Sequence, residues 1–419
     1  MSNWKIKISL FLNYFVFAIL LNSVGTVILL VQKSFDVTKS QVAVLEPFKD
    51  LSIAIVSFLV TSYITKIGYK RAMLIALGFV TVVCFIMPFT NSLIMVELLF
   101  AAIGSSFALI KMSAFGSIGL VTKDEKEHIS FMNFLEAFFG VGIVVSYFIF
   151  PLFIDSNNDA SRSWLNVYYL LGSISSVAFI LLLFSPLDES ASKVSSSKKM
   201  AGEFFTIFTL FAYPLLIAFI LCAFFYVLLE QSIMSWLPTF NNDVLKLNKI
   251  LSIQMASILA ASIALGRFLA GIVLKRLNWM LVMISCLVLA GGLVYFSMPA
   301  IQNFIDSYKG SGITQLKDVP LIAFVFPLIG LLLAPIYPAI NSVILSSLPK
   351  PKHGLMSGLI ILFSALGGSA GSLITGNIFQ HYGGKTAFYF SLIPIGILIV
   401  GLLVFNRLHN KSKQNTLNA

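Results

Sequence analysis

Four acids and three bases lie inside long apolar stretches of this chain, where a membrane would disfavour them. They are Glu46, Asp50, Glu136, Glu230, Lys49, Lys111 and Arg267. At the centre of a membrane helix, each such charge costs about 2.5–3.5 kcal/mol on insertion scales. Acids in such positions can carry protons, and bases can bind anions. We therefore interpret the set as the polar lining of a pathway for a small solute.

Glu46, Lys49 and Asp50 follow the spacing i, i+3 and i+4, which puts them on one face of a helix. Two interpretations are open. In the first, the three charges line a cavity and exchange partners during transport, as a proton-coupling or gating group. In the second, they form an internally neutralised network that fastens two helices. Because charges inside membrane segments usually face a pathway, we favour the first.

Lys111 and Glu136 lie on neighbouring apolar stretches. Lys111 is a candidate to bind a carboxylate or phosphate group of the substrate as a point charge, or to pair with Glu136. Glu136 lies among phenylalanines, three residues after Asn133. We predict that Glu136 or Glu46 carries a coupling proton and that Asn133 contributes to substrate binding. The alternative for Glu136 is a hydrogen bond between helices.

Glu230 and Gln231 place a carboxylate beside an amide, which suits sugar hydroxyl groups because each hydroxyl needs a donor and an acceptor. Trp236 is a candidate to stack on a sugar face. Arg267 could clamp an anionic substrate with its bidentate fork, or hold helices together. Asn341 could contact the substrate, with a hydrogen bond between helices as the alternative.

The elements that hold these residues are membrane helices. Of the 419 residues, 58% are hydrophobic and 11% are charged, which is too apolar for a soluble protein of this length. The apolar residues come in blocks of about 20, the length of a membrane-spanning helix. We predict an all-α membrane protein with twelve transmembrane helices in two six-helix halves. The predicted spans are 8–32, 40–65, 72–93, 95–121, 129–154, 164–186, 204–240, 250–274, 279–299, 319–348, 354–382 and 386–406.

The halves are predicted at residues 1–187 and 204–419, with a Ser- and Lys-rich cytoplasmic linker at 188–203. With both termini cytoplasmic, the inner loops hold about twice as many Lys and Arg residues as the outer loops. This asymmetry accounts for the net charge of +11 without a nucleic-acid partner. The sequence holds no phosphate-cradling loop and no metal-ligand spacing, so we expect neither an enzyme nor a cofactor.

Several motifs resemble those of a known transporter family. The basic loops TKIGYKR at 65–71 and KRLNW at 275–279 resemble the cytoplasmic loops of the major facilitator superfamily. Three more stretches are similar to its fucose–galactose–glucose:proton symporter branch: EQSIMSWLPTF at 230–240, Gly266-Arg267, and LAPIYP at 333–338. The acids that fucose permeases place in helices one and four are not matched. Asn22 is the candidate substrate-binding residue of the first span.

The resemblance implies secondary active transport of a sugar or sugar derivative by proton symport, with sodium as the alternative coupling ion. It implies a substrate site near the midplane between the halves, alternating access, and a monomer in a bacterial inner membrane. Pro335 and Pro338 should bend span ten. Three other interpretations stay open: transport of an organic anion through Lys111 and Arg267, export of drugs or other amphiphiles, and a non-transporting receptor that has kept the fold.

Overall fold

The computed structural model describes residues 4–60, 64–122, 125–158, 160–189, 214–274, 276–308, 312–346 and 353–417. The regular structure of these residues is helical, apart from an isolated bridge between Leu247 and Ile313. Within the same residues, ten helices are long and apolar enough to cross a membrane. The prediction of an all-α membrane protein is therefore confirmed.

The chain divides into two compact units, Met1–Thr38 with Val44–Lys198 and Lys39–Ala43 with Lys199–Ala419. Helices are numbered here in chain order. The first unit contains α1 Trp4–Asn22, α2 Val24–Ser34, α4 Leu45–Val60, α5 Ile64–Ile67, α6 Tyr69–Ile86, α7 Leu93–Val121, α8 Glu125–Ile149 and α9 Val167–Phe184. The second unit contains α3 Lys39–Val42, α10 Pro214–Asp243, α11 Lys249–Val273, α12 Trp279–Ser307, α13 Val325–Leu333, α14 Ile336–Ser346, α15 His353–Tyr389 and α16 Leu392–Leu417.

The helices follow the predicted spans, with local differences. Span one is divided at Ser23, whose hydroxyl donates a hydrogen bond to the carbonyl of Leu20. Span ten is divided at Pro335, which has no backbone N–H to continue a helix, and this is the bend that the prolines predict. Span twelve begins at Leu392 instead of 386, because the residues up to Tyr389 belong to α15, which is kinked at the left-handed Gly383 (φ 82°). Residues 190–213, which include most of the predicted linker, lie outside the described part of the chain.

In the first unit, α4 and α7 lie in very close contact at Gly104. A Cβ atom at this position would collide with the carbonyl oxygen of Lys49 and would lie 3.2 Å from Cβ of Ser52. Only glycine lets the two backbones come so close, as is common between membrane helices. The contact fixes the part of α4 that carries the charged triplet.

In the second unit, α10 packs along α15. The carbonyl oxygen of Leu228 occupies the space that a Cβ atom would need at Gly371. Further along, the fully buried Trp236 donates its indole N–H to the carbonyl oxygen of Ser372 at 3.1 Å. These contacts hold α10 at the orientation that presents Glu230 to its neighbours.

Candidate functional site

The first candidate cluster is the charged triplet of α4. The Nζ atom of Lys49 donates to Oε1 of Glu46, and it lies 3.4 Å from Oδ1 of Asp50. All three residues are buried, with exposed fractions of 1% for Glu46, 7% for Lys49 and 9% for Asp50. The predicted spacing thus brings the three side chains into contact. Two carboxylates around one ammonium leave the triplet with a formal charge of −1.

A buried tyrosine lies near this triplet. Tyr147 on α8 is buried and lies within electrostatic range of Glu46 and Lys49. Since α7 contacts the backbone of Lys49 at Gly104, both α7 and α8 of the same unit lie close to the triplet. Such a network can fasten helices, or it can change partners when a proton arrives.

Lys111 on α7 lies apart from the triplet. Its side chain is exposed, and its Nζ atom lies 5.8 Å from the ring centroids of Phe107 and of Phe115. At 3.6 residues per turn, Lys111 is turned about 140° around α7 from the exposed Leu98. Lys111 therefore lies on a different face from the apolar surface that suits lipid, and among the described residues no acidic side chain pairs with it. The side chains of Glu136 and Asn133 lie outside the described residues.

The second candidate cluster is built around Glu230 on α10. Tyr226, one turn earlier, donates its hydroxyl to Oε1 of Glu230 at 2.9 Å. On α11, an Nη atom of Arg267 lies 3.9 Å from the same oxygen. The Glu230 side chain is 18% exposed and that of Arg267 is 52% exposed. Glu230 therefore has two partners, a neutral donor at hydrogen-bond distance and a half-exposed cation at 3.9 Å.

Two further helices extend this cluster. The rings of Tyr226 and Tyr337 stack at 5.4 Å between centroids, with 20° between their planes. The hydroxyl of Tyr337 on α14 shares a hydrogen bond of 2.8 Å with Ser364 on α15. Asn341 lies beside the Tyr337 hydroxyl, and its buried Oδ1 accepts no hydrogen bond from the described residues. Four helices thus contribute to one polar cluster, which we call the Glu230 cluster.

Sequence reasoning missed three members of the Glu230 cluster, namely Tyr226, Tyr337 and Ser364. The spacing of Tyr226 four residues before Glu230 was a usable signal, because such pairs share a helix face. A similar spacing joins Tyr337 to Asn341. Nothing local in the sequence marks Ser364, which reaches the cluster only through the packing of α15.

The remaining predicted site residues lie elsewhere. Trp236 is fully buried in the contact between α10 and α15, where it packs on Phe379 and is not exposed to a solute. Asn22 donates to the carbonyl oxygen of Ala18 inside its own helix at 2.8 Å. Gln231 is half-buried next to Glu230. No polar contact joins Trp236 to the Glu230 cluster within the described residues.

Membrane-spanning helices that carry two clusters of polar and charged side chains are typical of transporters. More specifically, the chain belongs to the Major Facilitator Superfamily, because the model of that family matches residues 10–308 and 310–419. A search of curated proteins finds no match to this sequence.

Solved structures of transporters share the fold. The nucleoside transporter NupG matches with a TM-score of 0.71 at 14% identity, over 97% of this chain and 98% of that chain. A bacterial homolog of the human lysosomal transporter Spinster, inward-facing and occupied, gives 0.73 at 13% identity, over 99% and 97%. A D-xylose–proton symporter gives 0.77 at 10% identity, over 97% of each chain. Identities this low establish similarity of fold alone.

Proposed function

We propose that this protein is a secondary active transporter that carries a small hydroxylated solute, a sugar or sugar derivative, together with protons by alternating access. The observation that carries the proposal is the Glu230 cluster, in which four membrane helices contribute polar groups around a partly exposed carboxylate. Polar groups at such positions in membrane proteins mark substrate and ion pathways. The motifs shared with the fucose–galactose–glucose:proton symporter branch, and the fold shared with a D-xylose–proton symporter, favour the same solute class.

The chemistry of the Glu230 cluster suits a sugar. Glu230 supplies acceptor oxygens, Asn341 supplies an amide, and the hydroxyl of Tyr337 can donate or accept. The stacked rings of Tyr226 and Tyr337 offer an aromatic surface for the C–H face of a pyranose. Each hydroxyl of a sugar would therefore find both a donor and an acceptor within a few ångströms.

Coupling to protons rests on the acids inside the membrane helices. The triplet of Glu46, Lys49 and Asp50 carries a formal charge of −1 in a buried place, so that one added proton would neutralise it. We propose that Glu46, Asp50 or Glu136 takes up the coupling proton from outside and releases it inside. Sodium is the alternative ion, and the uptake assay below distinguishes the two.

The test is uptake by purified protein in proteoliposomes. Radiolabelled D-glucose, D-xylose, L-fucose and D-glucuronate are offered with an inward proton gradient, with an inward sodium gradient, and with neither. We expect at least one of them to accumulate against its gradient when protons flow inward, and a protonophore should abolish that accumulation. Accumulation driven only by sodium would replace the proton in this proposal. Equal uptake by protein-free liposomes for every solute would refute transport of this solute class.

A second candidate function is transport of an organic anion, such as a sugar acid, a small carboxylate or a phosphorylated sugar. The observation that favours it is the exposure of Lys111 and Arg267, two cations inside membrane helices. Arg267 lies 3.9 Å from Glu230, and no acidic side chain among the described residues pairs with Lys111. A cation exposed at membrane depth is costly unless it faces a polar space or meets an anion. In the same assay, uptake of D-glucuronate without uptake of the neutral sugars would select this candidate.

We also propose a membrane, an orientation and an oligomeric state for the protein. The excess of Lys and Arg in the predicted inner loops supports an orientation with both termini in the cytoplasm. The family resemblance favours a bacterial inner membrane. We propose a monomer in which residues 1–187 and 204–419 are the two halves and 188–203 links them. Cysteine labelling from either side of the membrane, at single positions placed in the linker and at Lys317, would test this orientation.

A further inference from the structure

Arg267 and Glu230 form an ion pair that is unusually open for two charges inside membrane helices. Their closest atoms are 3.9 Å apart, beyond the usual length of a charge-assisted hydrogen bond. Half of the Arg267 side chain is exposed, while Glu230 is mostly covered. A guanidinium whose side chain is half exposed has room for a second anionic partner.

Glu230 keeps a partner when Arg267 moves away. Its Oε1 accepts a 2.9 Å hydrogen bond from Tyr226, which lies on the same helix and moves with it. The charged and titratable groups that face Glu230 from the described helices are Arg267 on α11, Tyr226 on α10 and Tyr337 on α14. Arg267 is the only cation among these groups. Loss of its contact therefore leaves a mostly covered carboxylate with neutral neighbours.

A covered carboxylate without a counter-charge is strongly disfavoured, and uptake of a proton removes the charge. The charges then balance in both states. In the empty site, Glu230 and Arg267 sum to zero. In the loaded site, a solute carboxylate pairs with Arg267, one proton from the aqueous phase binds a carboxylate oxygen of Glu230, and the sum is again zero.

We propose that the Glu230–Arg267 pair is an exchange site at which a hydroxylated monocarboxylate, such as a sugar acid, displaces Glu230 from Arg267 and thereby loads one proton onto Glu230. This inference rests on the proposed function and selects its anionic candidate. The single guanidinium matches one negative charge, whereas a phosphate dianion would leave a charge uncompensated. The tyrosine and serine hydroxyls of the Glu230 cluster bind the hydroxyl groups of the same solute.

If one proton binds with each sugar acid, the dissociation constant of the sugar acid must depend on pH. The carboxylate of D-glucuronate stays ionised between pH 6 and pH 8, and in this proposal the proton that accompanies it binds Glu230. Over the interval in which Glu230 is charged in the empty site and neutral in the loaded site, the dissociation constant should rise about tenfold for each unit of pH. Binding of D-glucose should show no such slope.

The experiment measures binding of D-glucuronate and D-glucose to the purified protein in detergent by calorimetry at pH 6, 7 and 8. In weak buffer, a pH indicator counts the protons taken up for each glucuronate bound. We expect one proton per solute for the wild type, none for Glu230→Gln, and one for the control Glu97→Gln, a carboxyl of α7 outside the Glu230 cluster. Arg267→Gln should lose at least tenfold in affinity for glucuronate.

Three results would overturn this inference. They are the absence of glucuronate binding to the wild type, glucuronate binding without proton uptake by the wild type, and an unchanged proton count in Glu230→Gln. The wild-type proton count decides the matter even if a variant fails to fold. Proton-driven uptake of D-glucose alone would overturn this inference and leave the proposed transport of sugars standing. Absence of any uptake in the liposome assay would reject the proposed function itself.

Discussion

Replacement of Lys49 by methionine should destabilise the protein far more than the same change at Lys39. Lys49 is the one cation between Glu46 and Asp50, and all three residues are at least nine-tenths buried. Methionine keeps most of the side-chain volume and removes the charge, which leaves two covered carboxylates side by side. Removing one partner of a buried ion pair costs about 3–5 kcal/mol.

Lys39 provides a matched control, since it is also a lysine in an ion pair. Its Nζ atom lies 2.9 Å from Oδ2 of Asp243, within the second unit, and both side chains are partly exposed. Partly exposed pairs contribute about 0–1 kcal/mol. We therefore expect Lys49→Met to lower the free energy of unfolding by about 3–5 kcal/mol, and Lys39→Met by less than about 1 kcal/mol.

The measurement is equilibrium unfolding in mixed micelles of a mild detergent and dodecyl sulfate, followed by tryptophan fluorescence. A triple variant tests the cause: Glu46→Gln, Lys49→Met and Asp50→Asn together remove every charge of the triplet and should regain most of the stability that Lys49→Met loses. If Lys49→Met costs no more than Lys39→Met, or if the triple variant is as unstable as the single one, the triplet is not an energetic unit.

Three further predictions concern stability, measured by the same unfolding assay. Gly104→Ala should lower the free energy of unfolding by about 1–3 kcal/mol because the added Cβ would force α4 away from α7. Gly140→Ala, with open space around its Cβ, should be neutral or stabilising. Equal effects of the two changes would contradict the close contact at Gly104. Trp236→Phe should lower the free energy of unfolding by about 1–3 kcal/mol, because the Ser372 carbonyl loses its hydrogen-bond donor. The same change at the exposed Trp4 should alter that free energy by no more than about 0.5 kcal/mol. Tyr226→Phe should lower the free energy of unfolding by about 1.5–3 kcal/mol because Glu230 loses its hydrogen-bond donor. The same change at the exposed Tyr295 should have little effect. If Tyr226→Phe leaves stability unchanged, Arg267 alone holds the carboxylate of Glu230.

Most of the fold could be predicted because its signal is repeated along the chain. Blocks of about 20 apolar residues define membrane helices whatever their detailed packing. The breaks within spans could be predicted only in part. Pro335 predicts a bend because it has no backbone N–H. The break at Ser23 could not be predicted, because serine is common inside helices. The boundary between α15 and α16 was predicted less well: α15 ends at Tyr389 and α16 begins at Leu392, whereas a new span is predicted from residue 386.

The two clusters differ in how far sequence could predict them. Glu46, Lys49 and Asp50 are neighbours on one turn, so their contact follows from helix geometry alone. The Glu230 cluster depends on which faces of four helices meet. Arg267, Tyr337 and Ser364 are separated from Glu230 by long stretches of chain, and their distances to it follow from packing that no local pattern encodes. The sequence also leaves the role of Trp236 open, since an aromatic ring can stack on a sugar or, as in this structure, pack on Phe379.

The difference in exposure between the two clusters implies a difference in role. The triplet around Lys49 is almost fully buried, so a change of partner there exposes a buried charge to a low-dielectric surrounding. The pair of Glu230 and Arg267 is already long and partly exposed, and Glu230 retains Tyr226 as a donor when Arg267 leaves. Exchange of partners is therefore easier at Glu230 than at Lys49. Conservative substitutions at Glu230 should change transport more than unfolding, and substitutions at Lys49 should change both together.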